Sequence, residues 1–96
     1  MEIRWLRTAL NNLNQEAEYI ALENPVAARE IVGRIHRSVS LLADNPALGH
    51  PGRLPGTREL VVPGTSYIVP YRVSGHPERV EILRVFHVAR KLPERW

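Results

Sequence analysis

The chain has 96 residues, 44% of them hydrophobic, and a formal net charge of +3. A length of this order supports one hydrophobic core, so we expect a single domain over residues 1–96. No apolar run approaches the roughly 20 residues of a membrane span, and residues 1–5 lack a signal-peptide pattern. The absence of cysteine excludes disulfides and thiolate chemistry. These features exclude an integral membrane protein and favour a cytoplasmic location.

The positive charge is carried almost wholly by arginine, because Lys91 is the only lysine among 13 basic residues. The planar guanidinium group suits carboxylates and phosphates alike. The composition therefore leaves open both an acidic protein partner and a nucleic acid.

The first half of the chain has the pattern of one short strand and two helices. Ile3 and Trp5 alternate with charged residues, which predicts an opening strand. Two apolar stripes at helical spacing follow: Leu6, Leu10, Leu13, Ala17 and Ile20, then Ala28, Ile31, Ile35, Val39 and Leu42. Between them, Asn24 and Pro25 supply a cap residue and a proline at the first helical position. We therefore predict a hairpin of two amphipathic helices.

The second half has the composition of strands. Residues 44–56 contain three prolines and three glycines, which predicts a connecting loop. Strands are then expected at about 58–62, 66–73 and 80–86. Their connections are too short for parallel crossovers, which predicts an α+β fold with the helix hairpin on one face of a small, mainly antiparallel sheet. Pro70 cannot donate a ladder hydrogen bond, so we expect a sheet edge or a bulge there.

The last predicted strand is apolar on both faces. Strict alternation would direct Val80, Ile82 and Phe86 to one side, and Leu83 and Val85 to the other. Two interpretations remain open for the second apolar face. Either the C-terminal tail or a neighbouring strand covers it, or a partner chain does.

Few patterns for established chemistries are present. The four histidines show no paired ligand spacing, so no metal site and no cofactor are expected. The serines lack a nucleophile elbow, and the glycines lack a phosphate-loop pattern. An arginine set remains, which could hold phosphates or carboxylates or could be an ordinary solvated rim. Its members are Arg53, Arg58, Arg72, Arg84 and Arg90, with His87 at the start of the polar tail.

The strand half and the loop before it contain several distinctive local motifs: Asn45-Pro46-Ala47-Leu48-Gly49, Gly52-Arg53, Gly56-Thr57-Arg58-Glu59-Leu60, Tyr67-Ile68-Val69-Pro70-Tyr71-Arg72-Val73 and Ile82-Leu83-Arg84-Val85-Phe86-His87. Together these motifs resemble the RelE/ParE superfamily of bacterial toxins. The similarity covers nearly the whole chain. It implies the toxin component of a type II toxin–antitoxin module. One branch of the superfamily poisons DNA gyrase and causes growth arrest, and another cleaves messenger RNA on the ribosome.

The resemblance favours the gyrase branch. In the ribonuclease branch, basic residues on the central strands bind the scissile phosphate, whereas Thr57, Glu59 and Ile68 stand at those positions here. The ending Val85-Phe86-His87-Val88-Ala89-Arg90 is more similar to ParE-type toxins. The resemblance therefore implies a gyrase inhibitor and no enzyme. Two alternatives remain: a non-toxic binding relative, and a ribonuclease, for which Arg58, Arg72, His87 and Arg90 are the fallback catalytic set.

The resemblance also implies a protein partner. A ParD-like antitoxin would lay an acidic, amphipathic C-terminal segment across the toxin and fold as it binds. Such a pair could extend to a heterotetramer through antitoxin dimerisation. The expected contacts with target or antitoxin are Arg53, Arg58, Arg72, Arg84, His87 and Arg90.

Overall fold

The computed structural model describes residues 1–89, and these form two helices on one face of a six-stranded sheet. The helices are α1 (Arg7–Ala21) and α2 (Pro25–Ser40), followed by a 3₁₀ turn at Leu41–Ala43. The strands are β1 (Glu2–Trp5), β2 (His50–Pro51), β3 (Arg58–Val61), β4 (Tyr67–Ser74), β5 (Arg79–Ile82) and β6 (Phe86–His87). The predicted α+β class with a helix hairpin is confirmed.

The sheet has the order β1-β5-β4-β3-β2, and β6 also pairs with β4. Every pairing is antiparallel except that of β1 with β5, which is parallel. The core lies between the sheet and the helices. Its buried side chains include Ala9, Leu13, Ile35, Val39, Leu60, Val69, Tyr71, Val80 and Ile82. The predicted helical stripes therefore bury their central residues against the strands.

The start of α2 follows the predicted capping pattern. The Asn24 Oδ1 accepts a hydrogen bond from the Ala27 N–H at 3.0 Å, and Pro25 occupies the first helical position. We expect Asn24→Ala to lower the free energy of unfolding by about 1 kcal/mol, because one N–H of the first turn loses its partner. Urea unfolding of the variant measures this loss. Asn14→Ala, on an exposed position inside α1, is the control and should show no loss.

The prediction of one continuous strand over 80–86 is wrong. β5 ends at Ile82 and β6 begins at Phe86, and these residues pair with Tyr71 and Ile68 of β4. The sequence separation is four positions between Ile82 and Phe86 but three between Ile68 and Tyr71. The interrupted strand therefore carries one extra residue, as in a bulge. Pro70 lies opposite this interruption and accepts a hydrogen bond from the Leu83 N–H at 2.9 Å. Since Pro70 has no N–H to donate, the ladder breaks beside it, and the proline lies in a central strand rather than at an edge.

The interruption also changes which side chains share a face. Val85 is 3% exposed and joins the same core cluster as Val80 and Ile82. The expectation that Val85 faces away from these two residues is therefore wrong, because the extra residue restores it to the core side. Leu83 is half-buried beside a cleft, and Phe86 lies opposite Ile68.

Candidate functional site

The sheet face turned away from the helices, here called the outer face, carries most of the polar residues of the strands. Directly opposed residues in a ladder share a face, so the register assigns Arg72, Glu81 and Arg4 to one row. Ser74, Arg79 and Glu2 form the next row. Helix-side residues such as Tyr71 and Ile82 alternate with them. The outer face is therefore a charged surface with two buried carboxylates, described next.

Glu81 is the first of these carboxylates and is 6% exposed. Its Oε1 accepts hydrogen bonds from the Arg72 Nε at 2.8 Å and the Ser74 hydroxyl at 2.7 Å. Its Oε2 accepts bonds from the Arg79 Nη2 at 3.2 Å and Nε at 3.3 Å. The Arg72 hydrogen bond, followed by that of Ser74, lowers the pKa of Glu81 from 4.5 to about 2 against the opposing effect of burial. Glu81 is thus held as an anion that fixes two arginines.

Glu59 is the second buried carboxylate and is 3% exposed. It accepts hydrogen bonds from the Arg53 backbone N–H at 2.9 Å and from the Arg53 Nε at 3.0 Å. These bonds fasten the loop that contains Gly52 and Arg53 to the outer face of β3. Arg53 therefore closes a structural ion pair with Glu59, although 37% of its side chain stays exposed.

Tyr71 anchors the loop before β2 on the opposite, helix-facing side. Its hydroxyl donates to the Pro46 carbonyl at 2.8 Å and accepts from the Gly49 N–H at 2.8 Å. The Arg58 Nη1 donates to the Gly49 carbonyl at 2.7 Å. The loop at residues 45–49 is therefore held in place by hydrogen bonds to Tyr71 and to a terminal nitrogen of Arg58.

The arginines and His87 are not all brought together. Arg72 and Arg84 line one cleft near the start of α1. Arg58 and His87 lie opposite Tyr71 and Tyr67, on the helix-facing side of the sheet, whereas Arg72 lies on the outer face. The His87 ring contacts Tyr67 edge-on at 5.1 Å, and its Nδ1 accepts a bond from the Ala89 N–H at 3.1 Å. The predictions for Arg90 lie outside the described residues.

The three positions expected to be basic in a ribonuclease also differ in their surroundings. The Thr57 hydroxyl donates to the Leu54 carbonyl at 2.6 Å. Glu59 is buried in its ion pair, and Ile68 is 6% exposed. None of these side chains offers a cation to a phosphate group.

Sequence reasoning missed the role of the two buried glutamates. Both glutamates lie within strand sequences that also carry apolar residues, Arg58-Glu59-Leu60-Val61 and Arg79-Val80-Glu81-Ile82. Their place in these strands was the sequence feature that could have indicated buried ion pairs. A carboxylate in such a place is buried only with charged or hydrogen-bonding partners. Within residues 1–89, no group of histidine and acidic side chains could hold a metal ion, and no helix could span a membrane.

Comparison with known proteins defines the class to which this fold and this surface belong. Residues 3–92 match the family described as ParE toxin of type II toxin-antitoxin system, parDE. A protein of Sinorhizobium fredii (strain NBRC 101917 / NGR234), provisionally named toxin Y4kP, is 45% identical over 92 residues, which are 96% of this chain and 93% of that protein. The chain therefore belongs to the ParE toxin family of type II toxin–antitoxin systems.

Solved structures agree with this assignment. The chromosomal ParDE toxin–antitoxin system from P. aeruginosa contains a chain 31% identical to this one, with a TM-score of 0.80 over 92% of this chain and 96% of that chain. A chain of the RelBE2 toxin–antitoxin complex from Mycobacterium tuberculosis is 27% identical, with a TM-score of 0.65 over 90% and 95% of the two chains. The YoeB/ParE toxin from Agrobacterium tumefaciens, at 17% identity and a TM-score of 0.62 over 91% and 98%, shows the shared fold alone.

Proposed function

We propose that this toxin poisons DNA gyrase, by trapping the enzyme on cleaved DNA, and that a ParD-like antitoxin neutralises it. The observation that carries the proposal is the match to the ParE family over residues 3–92, which spans the helices and the strands. The structural similarity to a chain of a ParDE system extends over 92% of this chain. The protein would then act by binding, without catalysing a reaction of its own.

The state of the outer face supports this branch over the ribonuclease. A ribonuclease of this fold needs cations converging on the scissile phosphate. Here Glu59 is a buried anion, and Arg58 and His87 lie on the other side of the sheet from Arg72. Within residues 1–89, the register thus separates Arg72 from the other two described fallback residues, Arg58 and His87.

An antitoxin partner is supported by the apolar surface of the helix hairpin. A groove of about 520 Å³ between α1 and α2 is lined mainly by small and apolar side chains, with one acidic and one basic residue, Glu18 and Arg29. At the turn of the hairpin, Leu22 is 84% exposed and Val26 is 62% exposed. The apolar face of an amphipathic antitoxin segment would bury these side chains. The toxin and antitoxin would pair one to one, and dimeric antitoxin would extend the assembly to a heterotetramer.

The proposal is tested in cells by inducing the toxin with and without its antitoxin. Induction alone should arrest growth and produce linear or nicked plasmid, while translated messages stay intact. Co-expression of the antitoxin should restore growth. Codon-positioned cuts in messages with intact plasmid would contradict the gyrase target, and growth without arrest would identify a non-toxic binding relative.

A further inference from the structure

A polar cleft of about 340 Å³ lies beside the start of α1, on a part of the surface separate from the helix groove. Two arginines from the strand half of the fold line it, together with hydroxyl and aliphatic side chains. The lining residues are Leu6, Thr8, Leu54, Pro55, Thr57, Arg72, Leu83 and Arg84. None of these described residues is acidic, so the charge that the cleft presents is positive.

Arg72 is held in a fixed orientation at this cleft. Its Nε donates to the buried carboxylate of Glu81 at 2.8 Å, while 48% of its side chain is exposed. Within residues 1–89 its two terminal nitrogens make no hydrogen bond. Because a guanidinium carries five N–H donors, four of them remain for a ligand. Glu81 therefore fixes the orientation of the Arg72 guanidinium while using only one of its N–H donors.

Arg84 supplies the second cation. It lies in the interruption between β5 and β6, and within residues 1–89 its side chain makes no hydrogen bond or ion pair. Of the two arginines that line the cleft, only Arg72 is paired with a carboxylate, that of Glu81, so these three side chains carry a net charge of +1. Two guanidinium groups in one cleft repel each other unless an anion lies between them.

We propose that this cleft binds a phosphate group of a nucleic-acid backbone. One arginine fork already satisfies both oxygens of a carboxylate, whereas a tetrahedral phosphate presents oxygens in several directions and accepts from two forks. The Thr8 hydroxyl, which is unbonded within residues 1–89, adds a donor of the kind that contacts DNA phosphates. Leu54 and Pro55 offer aliphatic surface to the adjoining sugar.

The contact would be independent of base sequence, since it reaches only the backbone. This backbone contact deepens the proposed function, because gyrase acts on DNA. It rests on the proposed function only for the identity of the nucleic acid, which would be the DNA bound by gyrase. On this account the toxin holds the DNA of the gyrase complex through the cleft while other surfaces contact protein.

Arg84→Gln tests the site, because it removes the charge of a side chain that supports no other residue in the described structure. The matched control is Arg37→Gln, which removes one charge from the exposed face of α2. The full-length chain is titrated against a fluorescent duplex of arbitrary sequence at several salt concentrations, and anisotropy gives the affinity. Circular dichroism confirms that both variants are folded.

We expect Arg84→Gln to bind duplexes of unrelated sequence on the order of tenfold more weakly than the wild type. The slope of log affinity against log salt should fall by about 1. Arg37→Gln should change neither quantity beyond its small effect on net charge. Equal affinities and slopes for the two variants would overturn the assignment.

Inorganic phosphate is the second probe and distinguishes a free anion from a nucleic acid. Amide shifts of Thr8 and Arg84 that respond to inorganic phosphate, without Arg84-dependent DNA binding, would overturn the nucleic-acid assignment. If Arg84→Gln lost binding to an acidic peptide but kept its DNA affinity, the nucleic-acid assignment would be overturned and the cleft would be an antitoxin contact. None of these measurements contains gyrase, so Arg84-dependent DNA binding would support the site even if the toxin failed to trap gyrase.

Discussion

Gly49→Ala is expected to lower the free energy of unfolding by about 2 kcal/mol, the range for overpacking a buried site. A Cβ at this position would lie 2.7 Å from the Tyr71 Cε1 and 2.8 Å from the Glu59 backbone oxygen. Both neighbours are buried, and Tyr71 is held by its bonds to Pro46 and Gly49. The strands and the loop must therefore separate to admit one methyl group. Urea unfolding of the variant measures the loss.

Gly33→Ala is the matched control for this substitution. The Cβ added there meets only the flexible end of Arg37 at 3.1 Å, and the position lies inside α2. Because alanine is the better helix former, the variant should gain up to about 1 kcal/mol. Equal stability of Gly49→Ala and the wild type would show that the Tyr71 anchor is not packed as described.

Glu81 is expected to make the protein lose stability in acid. Its pKa in the folded chain is about 2, below the ordinary value of 4.5, because Arg72, Ser74 and Arg79 bind the carboxylate. A depressed pKa contributes stability that is present above about pH 4.5 and is lost as the pH falls toward 2. Glu81→Gln should therefore flatten the dependence of unfolding free energy on pH across this window.

The same variant should also be less stable at neutral pH, by about 2 kcal/mol, because charge-assisted hydrogen bonds of the cluster are lost. Urea unfolding at a series of pH values measures both effects. Glu78→Gln, at an exposed turn position, removes an equal charge without touching the cluster and should follow the wild type. An unchanged pH profile in Glu81→Gln would contradict the assigned network.

The features that could be predicted from sequence are those set by local patterns. The helical stripes bury Leu13, Ile35 and Val39 as expected, and Asn24 and Pro25 start α2. Local periodicity also separated the helical half from the strand half. These signals need only the residues within one element, which explains their success.

The features that could not be predicted depend on pairing between distant strands. The end of β5 at Ile82 is set by Pro70 on the neighbouring strand, and the return of Val85 to the core follows from that interruption. The parallel pairing of β1 with β5 joins residues about 77 positions apart. The Glu81 cluster likewise requires the register that places Arg72 opposite Glu81. Alternation within one strand carries none of this information.

The candidate site divides in the same way. Its arginines were identified from composition and motif, but their separation into an outer-face group and a helix-side group depends on the sheet register. Arg72 and Arg84 line one cleft because the strand interruption places Leu83 and Arg84 beside the start of α1.

The most direct test of the gyrase target is a cleavage assay with purified gyrase, supercoiled plasmid and the toxin released from its antitoxin. Detergent and protease treatment of the reaction would expose DNA held in covalent complexes. Linear or nicked plasmid that accumulates with toxin and disappears when antitoxin is added is the result expected here. Intact plasmid, with message cut in a parallel reaction containing ribosomes, would contradict the account and assign the toxin to the ribonuclease branch.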